Sequence, residues 1–428
     1  MARMAITSRK SDPDGDAARI VTLAIETVGA EGDGVSPGPV FTPLTLPGET
    51  VVARRTGERA ELIEILEASA GRVAAPCPHF GACGGCALQH WDETPYLAWK
   101  RERIGLALAR ERLETEILAP FAAPPGSRRR LALHARREGR EAVLGFKARR
   151  SWRLTAIETC VIADPAIVAA LPVLRRLAAT FLEHPRSAPI LHATWTATGL
   201  DVDVTGVERR AGGLSADARM RAAVVAAAAD MARVSLAGEV LYSARPARVR
   251  MGAASVALPP GAFLQAVEAA ERAMARFALA ESAGARGIAD LYCGVGAFSF
   301  PLASLAPVLA ADASAPAVAA LTTAAASAPG LKTIAAQVRD LDRRPMSGAE
   351  LKRIDVVLID PPRAGAAAQS AALARSEVAK VIAVSCNPAT FARDAAILTS
   401  GGFTLDRVLP VDQFLWSPHI ELVGVFSR

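Results

Sequence analysis

The sequence predicts an α/β protein in three parts: a strand–helix domain with a parallel sheet over 258–428, a small β-module over 1–75, and a mixed α+β region over 76–257 between them. Three observations lead there. From Pro259 onward, short apolar runs alternate with helical stretches, as in a parallel sheet covered on both faces. Between Ala18 and Arg72, short alternating runs are separated by glycine-rich turns. The six cysteines segregate into a cluster at Cys77, Cys83 and Cys86 with Cys160 downstream, one in a glycine loop (Cys293), and one at the end of an apolar run (Cys386).

The elements follow in order. Met1 to Asp16 is polar, with no apolar stretch of the kind a secretory signal carries, so a cytoplasmic protein is expected. The runs Ala18 to Ile25, Val40 to Thr45, Val51 to Ala53 and Ala60 to Ile65 read as strands, with turns at Gly32-Asp33-Gly34 and Leu46-Pro47-Gly48-Glu49. Such spacing fits an OB-type barrel, a common nucleic-acid platform, and equally any small β-module. A helix is expected over Tyr96 to Arg112, taken as far as 93–124 where it is placed against the C-terminal domain. Short strands and Ala/Arg-rich helices fill Arg128 to Arg250. Then come a helix over Ala262 to Ala280 and strands at Gly287 to Leu291, Val308 to Ala311, Ile354 to Ile359, Val381 to Val384 and Val423 to Phe426. In open parallel sheets ligands bind outside the carboxyl ends of the strands, and the chain's most distinctive residues fall at those ends.

Composition narrows the class. Of 428 residues, 51% are hydrophobic and 21% charged, which suits a globular core and argues against extensive disorder. The longest uncharged window, Leu291 to Ala311, contains Gly294, Gly296, Pro301 and Pro307 and is flanked by Asp290 and Asp312. It reads as strand, loop and helix, and no membrane span is expected. The net charge is +6, yet Arg128 to Arg153 alone holds ten basic residues against Glu138 and Glu141. Two readings fit that stretch: a polyanion-binding surface or a solvated charged face.

The chemistry sits in five motifs. Asp290-Leu-Tyr-Cys-Gly-Val-Gly-Ala-Phe298 is a glycine loop after a strand, where Gly294 and Gly296 let the backbone approach a ligand ahead of a helix. Position 299 is Ser, so the dinucleotide pattern is incomplete. The D-x-x-C-G-x-G-x-F form resembles the first motif of class I S-adenosylmethionine methyltransferases. That likeness assigns Asp312 to ribose hydroxyls and Asp340 to the adenine side. Asp360-Pro361-Pro362-Arg363 places a carboxylate and a cation at a stiffened turn, and the Arg argues against the stacking used in exocyclic-amine methylation. Cys386, in Ser385-Cys386-Asn387-Pro388, is placed as a cleft nucleophile, or else as a small core hydrophobe. Glu421, in His419-Ile420-Glu421, opens the last strand of the sheet, where a carboxylate can take a proton.

The fifth motif is a metal-type cluster, Cys77-Pro-His-Phe-Gly-Ala-Cys83-Gly-Gly-Cys86, completed by Cys160. In a chain expected to be cytoplasmic, clustered cysteines favour metal binding over disulfides. Four thiolates suit zinc or a [4Fe–4S] cluster. The C-x5-C-x2-C spacing differs from the C-x3-C-x2-C of radical enzymes, and Gly81, Gly84 and Gly85 permit close backbone approach.

Together these residues resemble the uracil-C5 RNA methyltransferase family, in its iron–sulfur 23S rRNA branch, over nearly the whole chain. Leu46-Pro47-Gly48-Glu49 looks like part of a TRAM domain, Cys77 to His90 (CPHFGACGGCALQH) like the family's cluster motif, and Phe263-Leu264-Gln265 like its cofactor-binding F-x-Q. The resemblance implies an S-adenosylmethionine-dependent enzyme acting on rRNA, with no membrane and no obligate protein partner. Cys386 would be the nucleophile and Glu421 the base. Gln265, Asp290, Tyr292, Gly294, Gly296, Asp312, Asp340 and Asp360 would bind the cofactor, and Cys77, Cys83, Cys86 and Cys160 would hold a [4Fe–4S] cluster, with zinc as the alternative. Ser314 to Pro329, which is Ala/Thr-rich, and Trp416-Ser417-Pro418 depart from the family pattern. The alternatives are a tRNA T-loop uridine methyltransferase and, from another class, a non-catalytic iron–sulfur RNA-binding protein.

Overall fold

A computed structural model describes residues 18–139, 141–207 and 214–428. The N-terminal segment read as signal-free, Met1 to Asp16, and Arg140 of the basic stretch lie outside the described residues. The chain divides into two compact units. One holds Met1–Gly81, Cys86–Trp99 and Trp416–Pro418; the other holds Ala82–Gly85, Lys100–Leu415 and His419–Arg428.

In the first unit, β1 (Arg19–Ala24), β2 (Thr27–Val28), β3 (Gly34–Ser36), β4 (Val40–Thr42), β5 (Thr50–Thr56) and β6 (Arg59–Glu67) form one sheet in the order β1-β5-β6-β4-β3-β2. The Leu46–Glu49 turn has a local cause. Glu49, almost wholly buried, accepts from the Leu46 N–H at 2.9 Å and from Arg72 Nη2 at 2.9 Å, and Gly48 takes φ +84°. A buried carboxylate satisfied in this way fixes the loop between β4 and β5.

Helix α1 (Glu93–Arg110) is shorter than the expected 93–124 segment. It ends where Arg112 adopts φ +59° and Leu113 N–H bonds back to Leu108. The residues beyond form β7 (Glu116–Ile117) and β8 (Phe121–Ala122), which pair in parallel with a strand of the large sheet. Ile104, Ala107 and Leu108 of α1 pack into that sheet's core.

Next come β9 (Arg130–Glu138), β10 (Glu141–Lys147), β11 (Leu154–Ala156), α2 (Pro165–Ala169), α3 (Leu171–Thr180), β12 (Ile190–Thr196), β13 (Gly199–Thr205), α4 (Ala216–Ala228), β14 (Arg233–Leu236) and β15 (Glu239–Ser243). Their strands form a seven-stranded sheet in the order β11-β10-β9-β12-β13-β14-β15. One face is apolar: Leu131, Leu133, Leu144, Leu191 and Val202 pack with Leu174, Leu177 and Phe181 of the helical layer. β16 (Arg248–Met251) and β17 (Ala254–Ala257) make a hairpin.

The last segment is the alternating α/β region. Helix α5 (Glu268–Glu281) begins six residues later than the expected Ala262 start. Ala262 to Val267 stays outside the helix, because Arg129 N–H bonds Ala266 O at 2.9 Å and Arg128 bridges Val267 as a strand would. There follow β18 (Ile288–Leu291), α6 (Ser299–Leu302), β19 (Val308–Asp312), α7 (Ala315–Ser327), β20 (Ile334–Val338), β21 (Val356–Ile359), α8 (Ala367–Ala374), β22 (Lys380–Ser385), α9 (Pro388–Ser400), β23 (Thr404–Asp412) and β24 (Glu421–Ser427). The sheet order is β20-β19-β18-β21-β22-β24-β23-β7, with β8 also on β23. Every pairing from β20 to β22 is parallel, whereas β24 runs antiparallel between β22 and β23. The expected strands are all present; β20 and β23 were not foreseen, and the last strand in sequence is interior in space. Two apolar cores cover the sheet's two faces. Among the described residues, no helix is long and apolar enough to cross a membrane.

Candidate active site

Strand order reverses direction at β18, with β19 on one side and β21 on the other. Such a switch point leaves a crevice at the carboxyl ends of the strands. A cleft of about 950 Å3 opens there, and its lining includes Gln265, Gly294, Asp312, Asp360, Cys386 and Glu421.

On one side stands the glycine loop. Gly294 N–H donates to Asp312 Oδ2 at 2.9 Å, and Ser314 N–H to Asp312 Oδ1 at 2.7 Å. The second acidic strand end is thereby locked to the loop after the first. Tyr292 and Gly294 both take positive φ, +63° and +52°, which turns the loop across the sheet. Gly296 has φ +102°, and a Cβ there would lie 2.6 Å from the Phe300 ring, so only glycine fits. Asp340 lines the cleft and accepts from the Asp342 and Arg343 N–H groups, each at 3.1 Å. Tyr292 donates its hydroxyl to Asp342 at 2.9 Å.

Asp290 takes another place. It is wholly buried, accepts from the Ser299 hydroxyl, and is not among the residues lining the cleft, nor is Gly296. Burial raises its carboxyl to about 7. Its evident local role is to tie β18 to the start of α6. Cys293 is buried, and burial together with Asp290 and Asp312 pushes its thiol far up, so it stays protonated.

On the other side, four side chains form a hydrogen-bonded row. Gln265 Nε2 donates to Asp360 Oδ2 at 3.2 Å; Gln413 Nε2 donates both to Gln265 Oε1 and to Glu421 Oε2, each at 2.8 Å. Gln265 is held in turn by Arg129, whose Nε donates to its carbonyl at 3.2 Å while Nη2 pairs with buried Glu271 at 2.8 Å. Burial raises the Glu421 carboxyl to about 7, and the Gln413 bond opposes that rise. Asp360 is held well above the usual range by burial, then by Glu421 and Asp290. The Glu421 carboxyl therefore exchanges its proton near neutrality.

Cys386 follows β22 directly, and Asn387 caps α9 by accepting from Ala389 N–H at 3.1 Å. Pro388 at the helix start fixes the exit from the strand. The thiol is half-buried; burial, then Glu421 and Asp360, raises its pKa, while Arg363 opposes. The antiparallel pairing of Ser385 with Leu422 puts the end of β22 beside the start of β24, so Cys386 and Glu421, 35 positions apart, meet at one rim. Gln413 and Asp342 are the contributors that sequence reasoning missed. Gln413 directly follows β23 (Thr404–Asp412), whose bulge between Leu405 and Arg407 breaks the alternation that marks a strand.

The four other cysteines, all half-buried, are divided: Cys77 and Cys86 in the first unit, Cys83 and Cys160 in the second. Among the described residues no group of three or more His, Cys, Asp or Glu stands ready to hold a metal ion. Local features still suit thiolate ligands. Gly85 N–H points to Cys83 Sγ at 3.4 Å, and Gly84 N–H bonds Lys147 O at 3.1 Å in a space where a Cβ would come within 2.5 Å of that oxygen.

Comparison with known proteins agrees with this geometry. Residues 255–428 match the family model for tRNA (uracil-5-)-methyltransferases. An uncharacterized RNA methyltransferase of Caulobacter vibrioides is 62% identical over 95% of this chain and 99% of its own length. The 23S rRNA (uracil(1939)-C(5))-methyltransferase RlmD of Chromohalobacter salexigens is 32% identical over 98% of this chain and 91% of its own. The crystal structure of Pyrococcus abyssi tRNA (uracil-54, C5)-methyltransferase in complex with S-adenosyl-L-homocysteine superposes with a TM-score of 0.74 at 22% identity, covering 95% of this chain and 99% of that one. At that identity the likeness concerns the fold alone.

Proposed function

The chain belongs to the RNA uracil-5 methyltransferase family, S-adenosylmethionine-dependent enzymes, and from that premise we propose that it methylates C5 of a uridine in 23S rRNA. The observation that carries the reading is the meeting of Cys386 and Glu421 at the rim of one cleft that also holds the glycine loop. The 23S relative, alike over nearly the full length of both chains, supports the substrate.

The cleft fits the cofactor. It is large enough, and the Asp312 and Asp340 carboxylates line the side occupied by the glycine loop. When bound there, S-adenosylmethionine supplies an electrophilic methyl group. Tyr292, Gly294, Asp312 and Asp340 would hold it, while Asp290 and Gly296 shape the loop from behind. Gln265 and Asp360 line the cleft toward Cys386 and would hold the reacting centre.

Uracil C5 is a poor nucleophile, so the base needs covalent activation. Cys386 Sγ, once its thiol proton has passed to solvent, adds to C6 of a uracil turned out of its stack. C5 then carries the electron pair and would take the methyl group, the bonding electrons of the broken methyl–sulfur bond staying with the cofactor's sulfur. Glu421 removes the proton remaining on C5, the C5–C6 double bond re-forms, and Cys386 leaves as thiolate. Glu421, with its carboxyl near 7 and oriented by Gln413, is suited to accept that proton at neutral pH.

Cys77, Cys83, Cys86 and Cys160 would hold a [4Fe–4S] cluster or zinc as a staple between distant segments. The 1–75 module would be a TRAM-like barrel that, with the Arg128–Arg153 stretch, holds the RNA backbone.

The test is incubation with labelled S-adenosylmethionine and, separately, unmodified 23S rRNA and bulk tRNA, followed by nucleoside analysis. The expected result is 5-methyluridine in 23S rRNA. Label in tRNA alone overturns the substrate and keeps the chemistry. No label in either, with cofactor bound, overturns the catalytic reading in favour of a non-catalytic RNA-binding protein.

A further inference from the structure

Trp152 is the most exposed large apolar side chain among the described residues, at 85%. An exposed indole offers a flat aromatic face to a partner. Its loop is built to present it. Ala148 N–H bonds Arg153 O at 2.8 Å, Ser151 N–H bonds Ala148 O at 3.1 Å, and Arg153 N–H bonds Ser151 Oγ at 3.0 Å. Arg150 takes φ +51° to close the turn. Lys147 Nζ lies 3.9 Å from the centroid of the Trp152 ring, so one face carries a cation and the exposure belongs to the rest.

The surroundings define the partner's charge. Lys147, Arg149, Arg150 and Arg153 lie within seven positions, and no acidic residue occurs between Glu141 and Glu158. An aromatic ring set among cations is the arrangement that binds single-stranded nucleic acid: cations meet phosphates, and the ring stacks a base.

The loop is also connected to the cleft. On β9, Arg130, Ala132 and His134 alternate with buried Leu131, Leu133 and Ala135, so they share the sheet face opposite the apolar core. Arg130, Ala132 and His192, which pairs with Ala132 from β12, line the cleft. On β10, Gly145 pairs with His134, and Lys147 stands two residues further along the same face. A polar track thus runs from the cleft mouth over His134 to Lys147 and Trp152.

We propose that Trp152 is a stacking platform for an unpaired RNA base a few nucleotides from the target, with the arginines of its loop holding the adjoining phosphates. The proposal rests on the RNA substrate inferred above and adds to it a requirement: the RNA must offer an unpaired base beyond the target uridine.

The test compares wild type with Trp152→Ala, Trp152→Phe and Arg149→Gln/Arg150→Gln. Binding to a uridine-containing single-stranded RNA oligonucleotide and to an RNA duplex is measured across salt concentrations. KM and kcat are measured on unmodified 23S rRNA. Trp152→Ala should bind the single strand about tenfold more weakly at every salt concentration, with an unchanged salt slope and unchanged duplex binding. Trp152→Phe should recover most of that loss. The double arginine variant should flatten the salt slope by about one to two units. On 23S rRNA, Trp152→Ala should raise KM about tenfold and leave kcat within about twofold. Single-strand binding equal to wild type in Trp152→Ala, or equal losses on duplex and single strand, overturns the proposal. If the wild type methylates no RNA, the functional reading fails by itself, and the oligonucleotide measurements still decide the role of Trp152.

Discussion

Gln413 Nε2 lies 2.8 Å from Glu421 Oε2 and spends its second N–H on Gln265, so the carboxyl proposed as base is oriented by the residue that follows the neighbouring strand β23. That bond favours the ionised form of a group that burial pushes toward neutrality.

Replacing Gln413 with Leu removes the donor and raises the Glu421 carboxyl further. Proton removal needs the carboxylate, so the wild-type step should speed up as pH rises through about 7. The variant's rise should lie about one pH unit higher, the scale of one lost hydrogen bond to a charged group. Asp360 and Cys386 titrate in the same cleft, so the measurement is the breakdown of preformed covalent adduct in a single turnover. An unshifted profile removes Gln413 from this role.

Glu421→Gln should accumulate a covalent, methylated RNA adduct on Cys386, seen as a band resistant to denaturing electrophoresis. Turnover should fall by about 10²–10⁴-fold, the usual contribution of a general base. A variant that turns over normally eliminates Glu421 as the base.

Cys386→Ala should abolish methyl transfer by at least about 10⁴-fold and form no adduct, while cofactor binding persists. Retained methyl transfer excludes the covalent route.

Lys100 and Asp412 form an ion pair with both side chains fully buried, and Lys100 also donates to the Phe414 carbonyl at 3.2 Å, on either side of Gln413. Lys100→Met removes one partner of this buried ion pair and should cost about 3–5 kcal/mol in denaturant unfolding. Lys100→Met with Asp412→Leu should recover much of that loss. A single variant as stable as wild type would show that the pair is dispensable.

Protein purified without oxygen should hold about four irons per chain with a broad brown absorbance if the four cysteines carry the proposed cluster. One zinc and no colour replaces that assignment, and neither metal removes the site.

Local chemistry made much of this molecule legible. Strands β18, β19, β21 and β22 could be read because buried parallel strands are short apolar runs, each ending in a residue of distinct character: the glycine loop, Asp312, Asp360, Cys386. Strand β23 could not, since its bulge and its charged residues at 406 and 407 disturb the pattern. Helix ends were misjudged at 262–267 and beyond Arg110 because a long-range backbone pairing and a positive-φ residue, neither visible in periodicity, set them.

By itself the sequence determined the kinds of chemical group present and the strand ends that carry them, because glycine, proline and carboxylate act on the backbone within a few residues. The tertiary structure decided which of them meet. Only the antiparallel insertion of β24 between β22 and β23 sets Glu421 beside Cys386 and Gln413, and only the depth of the cleft brings the Glu421 carboxyl to about 7. Desolvation and cross-strand hydrogen bonds are properties of the packed sheet, and no stretch of the chain holds them alone.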